Sequence, residues 1–136
     1  DSMVPMPRAT TVNGIPVGEL LDKPALTQLS ERTKNGGAEI VNLLKTGSAF
    51  FAPASGAVAM AKAILRDEQR LLPCTCLLNG EFGFEGVYVG VPAVLGRAGV
   101  ERIVELPLDT EARIAMQKTV GAIQKDVGAL RDRGLM

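Results

Sequence analysis

Residues 70–108 read RLLPCTCLLNGEFGFEGVYVGVPAVLGRAGVERIVELPL, and their period decides the fold. Apolar and other residues alternate, which puts Val87, Val89 and Val91 on one face of an extended chain and Val100, Val104 and Leu106 on one face of another. Asn79-Gly80 and Gly96-Arg97-Ala98-Gly99 are turn signals between the runs. The stretch predicts a three-stranded antiparallel meander. Pro92 has no ladder donor, so it is expected at an edge or a bulge, with pairing lost near it. Cys74 and Cys76 are two apart and share one strand face. They are too near in sequence for an ordinary disulfide or a CxxC redox turn, and they read as buried structural thiols.

After the meander, Met116, Val120, Ile123, Val127 and Leu130 recur at spacings of four and three, the pattern of an amphipathic helix. Asp109 is its expected N-cap, Glu111 lies in the first turn, Arg131 and Arg133 in the last, and Gly134 follows. Before the meander, an alanine-rich helix is expected from about Pro53 to Asp67, with Val58, Ile64 and Leu65 supplying bulk. Another helical pattern starts at Pro24 and includes Leu26, Leu29, Ile40, Val41, Leu43 and Leu44. Asn35-Gly36-Gly37 should interrupt it, since each glycine costs about 1 kcal/mol relative to alanine. The opening VPMPRATTVNGIPV, residues 4–17, has β-branched residues broken by prolines and an Asn13-Gly14 turn, and reads as short edge strands.

The fold class that follows is α+β: antiparallel strands, two long helices in a hairpin-like pair, and a C-terminal amphipathic helix within one domain spanning residues 1–136. Hydrophobic residues at 46% and charged residues at 22% are ordinary for a folded domain. Lys plus Arg equals Asp plus Glu at 15 each, so no positive excess favours nucleic acid. Lys45, Lys62 and Arg66 interrupt the apolar stretches before they reach the roughly 20 residues of a membrane span. Asp1-Ser2-Met3 has neither a basic nor an apolar leader, which makes the cytoplasm the expected compartment.

Histidine is absent, which removes the commonest general acid/base and the imidazole metal ligand. No catalytic residue and no metal site is assigned. The glycine tracts LNGEFGFEG and VLGRAGVER lie between strands and match neither GxxxxGK[ST] nor a GxGxxG turn opening a helix, so they read as turns. Glu101 and Glu105 share a strand face with Ile103, an arrangement that more often marks a solvated edge than a carboxylate pair. The short segment from Lys45 to Pro53 lies between two helices. It is either a plain connector or a place where helix-start amides face a small anion.

Three long segments in order, DSMVPMPRATTVNGIP, AEIVNLLKTGSAFFAPASGAVAMAKAILRD and residues 70–108, resemble lactate dehydrogenase-like malate dehydrogenases over nearly the whole chain. The resemblance implies an NAD-dependent enzyme interconverting malate and oxaloacetate, of which this chain is the C-terminal, substrate-side half. In that family a Gly-Gly-His-Gly-Asp tract leads into Met-Val-Pro. Asp1-Ser2-Met3-Val4-Pro5 resembles its continuation, which would place the catalytic histidine two residues before Asp1. The dinucleotide-binding half, the carboxylate-gripping arginines and the aspartate that orients the histidine would lie upstream, leaving the fragment inactive alone.

The resemblance assigns Ser48 and Ala49 to the substrate-pocket wall and Pro53 to the cofactor, facing the nicotinamide ring; some relatives carry Met or Ile in place of Pro53. It also implies one continuous helix from Pro24 to Lys45, with Gly36-Gly37 admitting another subunit of a homo-oligomer, a dimer or tetramer. The alternatives are the C-terminal domain of a lactate dehydrogenase, which shares this architecture, and a non-catalytic oligomerisation module using the alanine-rich and Gly36-Gly37 surfaces.

Overall fold

A computed structural model describes residues 3–135. Asp1 and Ser2, which the resemblance joins to the histidine tract, lie outside the described residues. The chain divides into two compact units, residues 1–53 and 54–136.

In the first unit β1 (Thr11–Val12) and β2 (Ile15–Pro16) form the expected antiparallel hairpin around Asn13-Gly14, followed by a single turn, α1 (Val17–Leu20). Helix α2 (Lys23–Leu44) begins where the Asp22 carboxylate accepts from the Ala25 amide at 2.9 Å, with Pro24 in the first turn. It does not break at Asn35-Gly36-Gly37, so the local expectation is corrected and the continuous helix implied by the family resemblance is observed. Arg32 and Glu39, two turns apart on one face, form a two-pronged ion pair across the glycines: Nε to Oε2 at 3.1 Å and Nη2 to Oε1 at 2.9 Å. Each holds the other charged. The hydrogen bond and the field of Glu39 raise the Arg32 pKa, and Arg32 lowers that of Glu39. The Asn35 amide also donates to the Glu31 carbonyl at 2.9 Å. Lys45 closes the helix in the left-handed region, φ 61°, with its amide donating to Val41 O at 3.0 Å.

Helix α3 (Phe51–Leu65) starts two residues before the expected Pro53 and ends two before Asp67. Proline is tolerated anywhere in the first turn, where its missing N–H has no intrahelical acceptor.

In the second unit β3 (Arg70–Asn79), β4 (Glu85–Gly96) and β5 (Gly99–Ile103) form the predicted antiparallel meander in the order β3-β4-β5. Cys74, Cys76 and Leu78 pair with Val91, Val89 and Val87, and all six are buried on one face. Both thiols are free, and loss of solvation raises their pKa. The Cys74 thiol lies 3.7 Å from the Met60 sulfur. Helix α4 (Thr110–Asp132) is capped by Asp109, whose Oδ1 accepts from the Ala112 amide at 2.9 Å. Three of the five residues of its predicted stripe pack inward, Val120 buried in the core and Met116 and Ile123 against it, while Leu130 at the far end is 41% exposed. Gly134, φ 67°, ends it, while the Leu135 amide reaches Leu130 O at 3.0 Å.

Two strand expectations need correction. Pro92 stands in the central strand, not at an edge, and pairs with Pro73 in β3. Its missing donor is accommodated because pairing with β5 begins only at Ala93↔Ile103. β5 ends at Ile103, so Val104 and Leu106 fall outside the strand that their spacing suggested; the Val104 amide still donates to Pro92 O at 2.8 Å.

Candidate functional site

The segment following α2 turns sharply because two residues take positive φ, Lys45 at 61° and Gly47 at 82°. Glycine adopts that geometry freely and lysine at a cost. Ser48 is exposed and Ala49 half-buried. The Ser48 carbonyl accepts from the Phe50 amide at 2.8 Å, which tightens the approach to α3. Pro53 is exposed in the first turn of α3. Thus the three residues singled out from sequence lie on one short stretch running from the end of α2 into α3.

Phe50 and Phe51 were not singled out. Their rings stack in a tilted pair, centroids 4.5 Å apart and planes at 41°, and both are largely exposed. The available signal was adjacency: two of the chain's four phenylalanines stand side by side in a segment otherwise composed of small residues.

The chemistry of this stretch is that of a wall. No charged residue occurs from Thr46 to Ala61. Its polar side chains here are hydroxyls, and Pro53 offers an apolar face without an N–H. Such a surface can contact a planar ring or shape a pocket, but it contains no group that titrates near neutrality.

The carboxylates considered as a pair are engaged separately. Glu101 Oε1 accepts from the Ala98 amide at 3.0 Å, and Glu105 Oε2 from the Phe82 amide at 2.6 Å. Phe82 itself sits at φ 55°, and the neighbouring Glu81 carboxylate accepts from the Asn79 amide at 2.6 Å, which lowers its pKa. These glutamates hold turns and form no acid/base couple. Among the described residues no cluster of three or more His, Cys, Asp or Glu could hold a metal ion, and no helix is long and apolar enough to cross a membrane.

Comparison with known proteins places these features in a lineage. The sequence profile of the lactate/malate dehydrogenase alpha/beta C-terminal domain matches residues 1–131. A malate dehydrogenase of Roseiflexus sp. (strain RS-1) is 52% identical over 131 residues, covering 96% of this chain and 42% of that protein. The malate dehydrogenase of Chlorobium limicola is 49% identical, again over 96% of this chain and 42% of its own length. Among solved structures, malate dehydrogenase from Salinibacter ruber superposes with a TM-score of 0.90 at 43% identity, covering 98% of this chain and 45% of that one. Lactate dehydrogenase from Eimeria maxima, solved with NADH and oxamate, gives 0.88 at 37% identity, covering 99% and 44%. The chain thus spans less than half the length of the relatives it matches, and it belongs to the lactate/malate dehydrogenase family, whose alpha/beta C-terminal domain it forms.

Proposed function

We propose that these residues are the substrate-side half of a cytoplasmic, NAD-dependent malate dehydrogenase that interconverts malate and oxaloacetate, completed by a dinucleotide-binding half outside this sequence. One observation carries the reading: matches to malate dehydrogenases run through almost the entire chain and cover only about 42% of the relatives. The lack of histidine supports it, because a domain whose proton-transfer group lies in the other half does not need one. The malate dehydrogenases above share 52% and 49% identity and the lactate dehydrogenase 37%, which favours malate over lactate.

In this reading the 45–53 stretch closes the pocket. Ala49 leaves room for the second carboxylate of a four-carbon diacid, and the Ser48 hydroxyl can hydrogen-bond a substrate oxygen. Pro53 would lie against the nicotinamide side of NAD, which when bound would supply acceptance of the hydride from C2 of malate. Assembly into a dimer or tetramer belongs to the same proposal. It is supported by α2, none of whose residues is buried, and by Gly36 and Gly37, beside which an added Cβ would meet nothing within 4 Å.

The test compares the 136-residue chain with the complete protein, following NADH formation from malate and NADH consumption with oxaloacetate or pyruvate. The complete protein should turn over malate and prefer oxaloacetate, and the chain alone should be inert. A preference for pyruvate would establish the lactate dehydrogenase reading. Appreciable turnover by the chain alone would remove the dependence on a second half.

A further inference from the structure

Three sulfur atoms gather between β3 and α3. Cys74 and Cys76 alternate along β3 with Thr75 turned the other way, so both thiols lie on the sheet face that carries the core. Neither is in a disulfide, and they are near enough for the charge of one to be felt by the other. The third sulfur is the thioether of Met60 on α3, whose Sδ lies 3.7 Å from Cys74 Sγ. Their surroundings on the sheet are hydrocarbon: Cys74 pairs with Val91 and Cys76 with Val89, and both valines are buried. Ala63, three residues along α3 from Met60, is wholly buried in the same core. The thiols are 8% and 5% exposed and Met60 36%, so solvent reaches the group at its thioether.

The donor set decides what such a place can hold. Thiolate and thioether are soft donors that select soft ions such as Cu(I), whereas Mg2+ and Ca2+ require oxygen. Among the described residues no group of three or more His, Cys, Asp or Glu could hold a metal, so no carboxylate or imidazole completes the pair of thiols and the thioether is their third member. That disfavours Zn2+, whose protein ligands are thiolate, imidazole and carboxylate. Metal–sulfur bonds of about 2.3 Å to two sulfurs 3.7 Å apart enclose an angle of about 107°, far from linear, which leaves room for a further sulfur, and Cys76 is next along the same face. A monovalent ion is neutralised by one thiolate, as apolar surroundings demand, and a divalent ion would need both.

We propose that Cys74, Met60 and Cys76 form a binding site for one Cu(I) ion between β3 and α3, with the Cys74 thiolate and the Met60 thioether as its principal ligands and Cys76 as the third sulfur. Binding breaks the Cys74 S–H bond and forms a copper–sulfur bond. The proton passes to solvent, and the ion enters and stays as Cu(I). The site is independent of the substrate assignment, because its readout is the partition of a metal ion and the readout of that assignment is turnover.

The experiment titrates the complete protein, without oxygen, against Cu(I) held by a chromophoric chelator, whose loss of colour counts the ions taken up. Sulfurs carried by the other half cancel in the difference between variants. Cys74→Ser should take up one ion fewer per chain. Met60→Leu and Cys76→Ser should each bind that ion at least about tenfold more weakly, the loss that follows removal of even an outer partner of a metal ligand. Met60→Leu keeps the side-chain bulk and suits a helix, so it carries the test if Cys74→Ser does not fold, with circular dichroism as the check. Excess Zn2+ should not displace the ion, and X-ray absorption of the loaded protein should show sulfur neighbours only. Equal affinity in Met60→Leu and the unsubstituted protein would overturn the proposal. So would undiminished uptake by folded Cys74→Ser, displacement by Zn2+, or nitrogen and oxygen neighbours around the copper.

Discussion

Replacing Ala49 with leucine in the complete protein tests the placement of the pocket. Ala49 is half-buried on a segment that cannot easily retreat. Lys45 and Gly47 hold positive φ on one side, and the Phe50 amide bonds to the Ser48 carbonyl at 2.8 Å on the other. Three extra carbons must therefore project into the space next to the loop. Overpacking of this kind costs about 1–3 kcal/mol, and each 1.4 kcal/mol lost from transition-state binding is about a tenfold loss of kcat/KM. The expected result is a fall of about 10- to 100-fold in kcat/KM for oxaloacetate. The Kd for NADH should change little, because most of the dinucleotide would be held by the other half. Steady-state kinetics with circular dichroism as a folding control decides the matter. If the folded variant keeps its full efficiency, the 47–53 segment does not line the substrate site.

Two further outcomes follow from the second unit. Leu78 is fully buried opposite Val87, so Leu78→Ala should cost about 2–5 kcal/mol, lowering the thermal midpoint by about 10 °C for 3 kcal/mol spread over a domain of this size; a shift of only a degree or two would mean that the core closes over the gap. The Asp67 carboxylate accepts from the Arg97 amide and from Gln69 Nε2, both at 2.9 Å, and these bonds lower its pKa below the ordinary value. A lowered folded-state pKa contributes stability above the unfolded value, about 3.9 for aspartate, that is lost as pH falls through the folded one. The protection factor of the Arg97 amide should thus drop in acid and be less pH-dependent in Asp67→Asn, and constant protection through acid would refute the anchor.

The sheet and α4 were legible because both patterns are local and strong. Alternation placed Val87, Val89 and Val91 on the buried face, and the four-three spacing placed Val120 in the core. Helix α2 was not legible from propensity, since two adjacent glycines argue for a break. Arg32 and Glu39 stand seven apart on either side of them, a spacing visible in the sequence, yet an exposed pair of this kind contributes little by itself. Of the Pro92 expectation the loss of pairing held, since the β4–β5 ladder stops at Ala93, while the edge placement failed because the strand's place in the sheet depends on its neighbours on both sides. The proposed pocket segment could be read only through family resemblance. Its own residues describe a connector between α2 and α3.

Where the 45–53 stretch stands depends on the helices that lead into and out of it. Helix α2 has no buried residue along its 22, with Leu43 76% exposed, and of α3 only Ala63 is buried, with Leu65 82% exposed. Helices whose apolar side chains remain solvated lack the packing that supplies most helical stability in proteins. The two positive-φ residues at the end of α2 hold the turn in place only while α2 itself is helical. If the stretch lines the proposed pocket, the precision it needs, about half an ångström in well-organised sites, would come from surfaces that cover these helices in the complete protein. On the function and assembly proposed above, substrate recognition and subunit contact would be coupled through the same helices, and a contact made far from the substrate would set the position of Ser48 and Ala49.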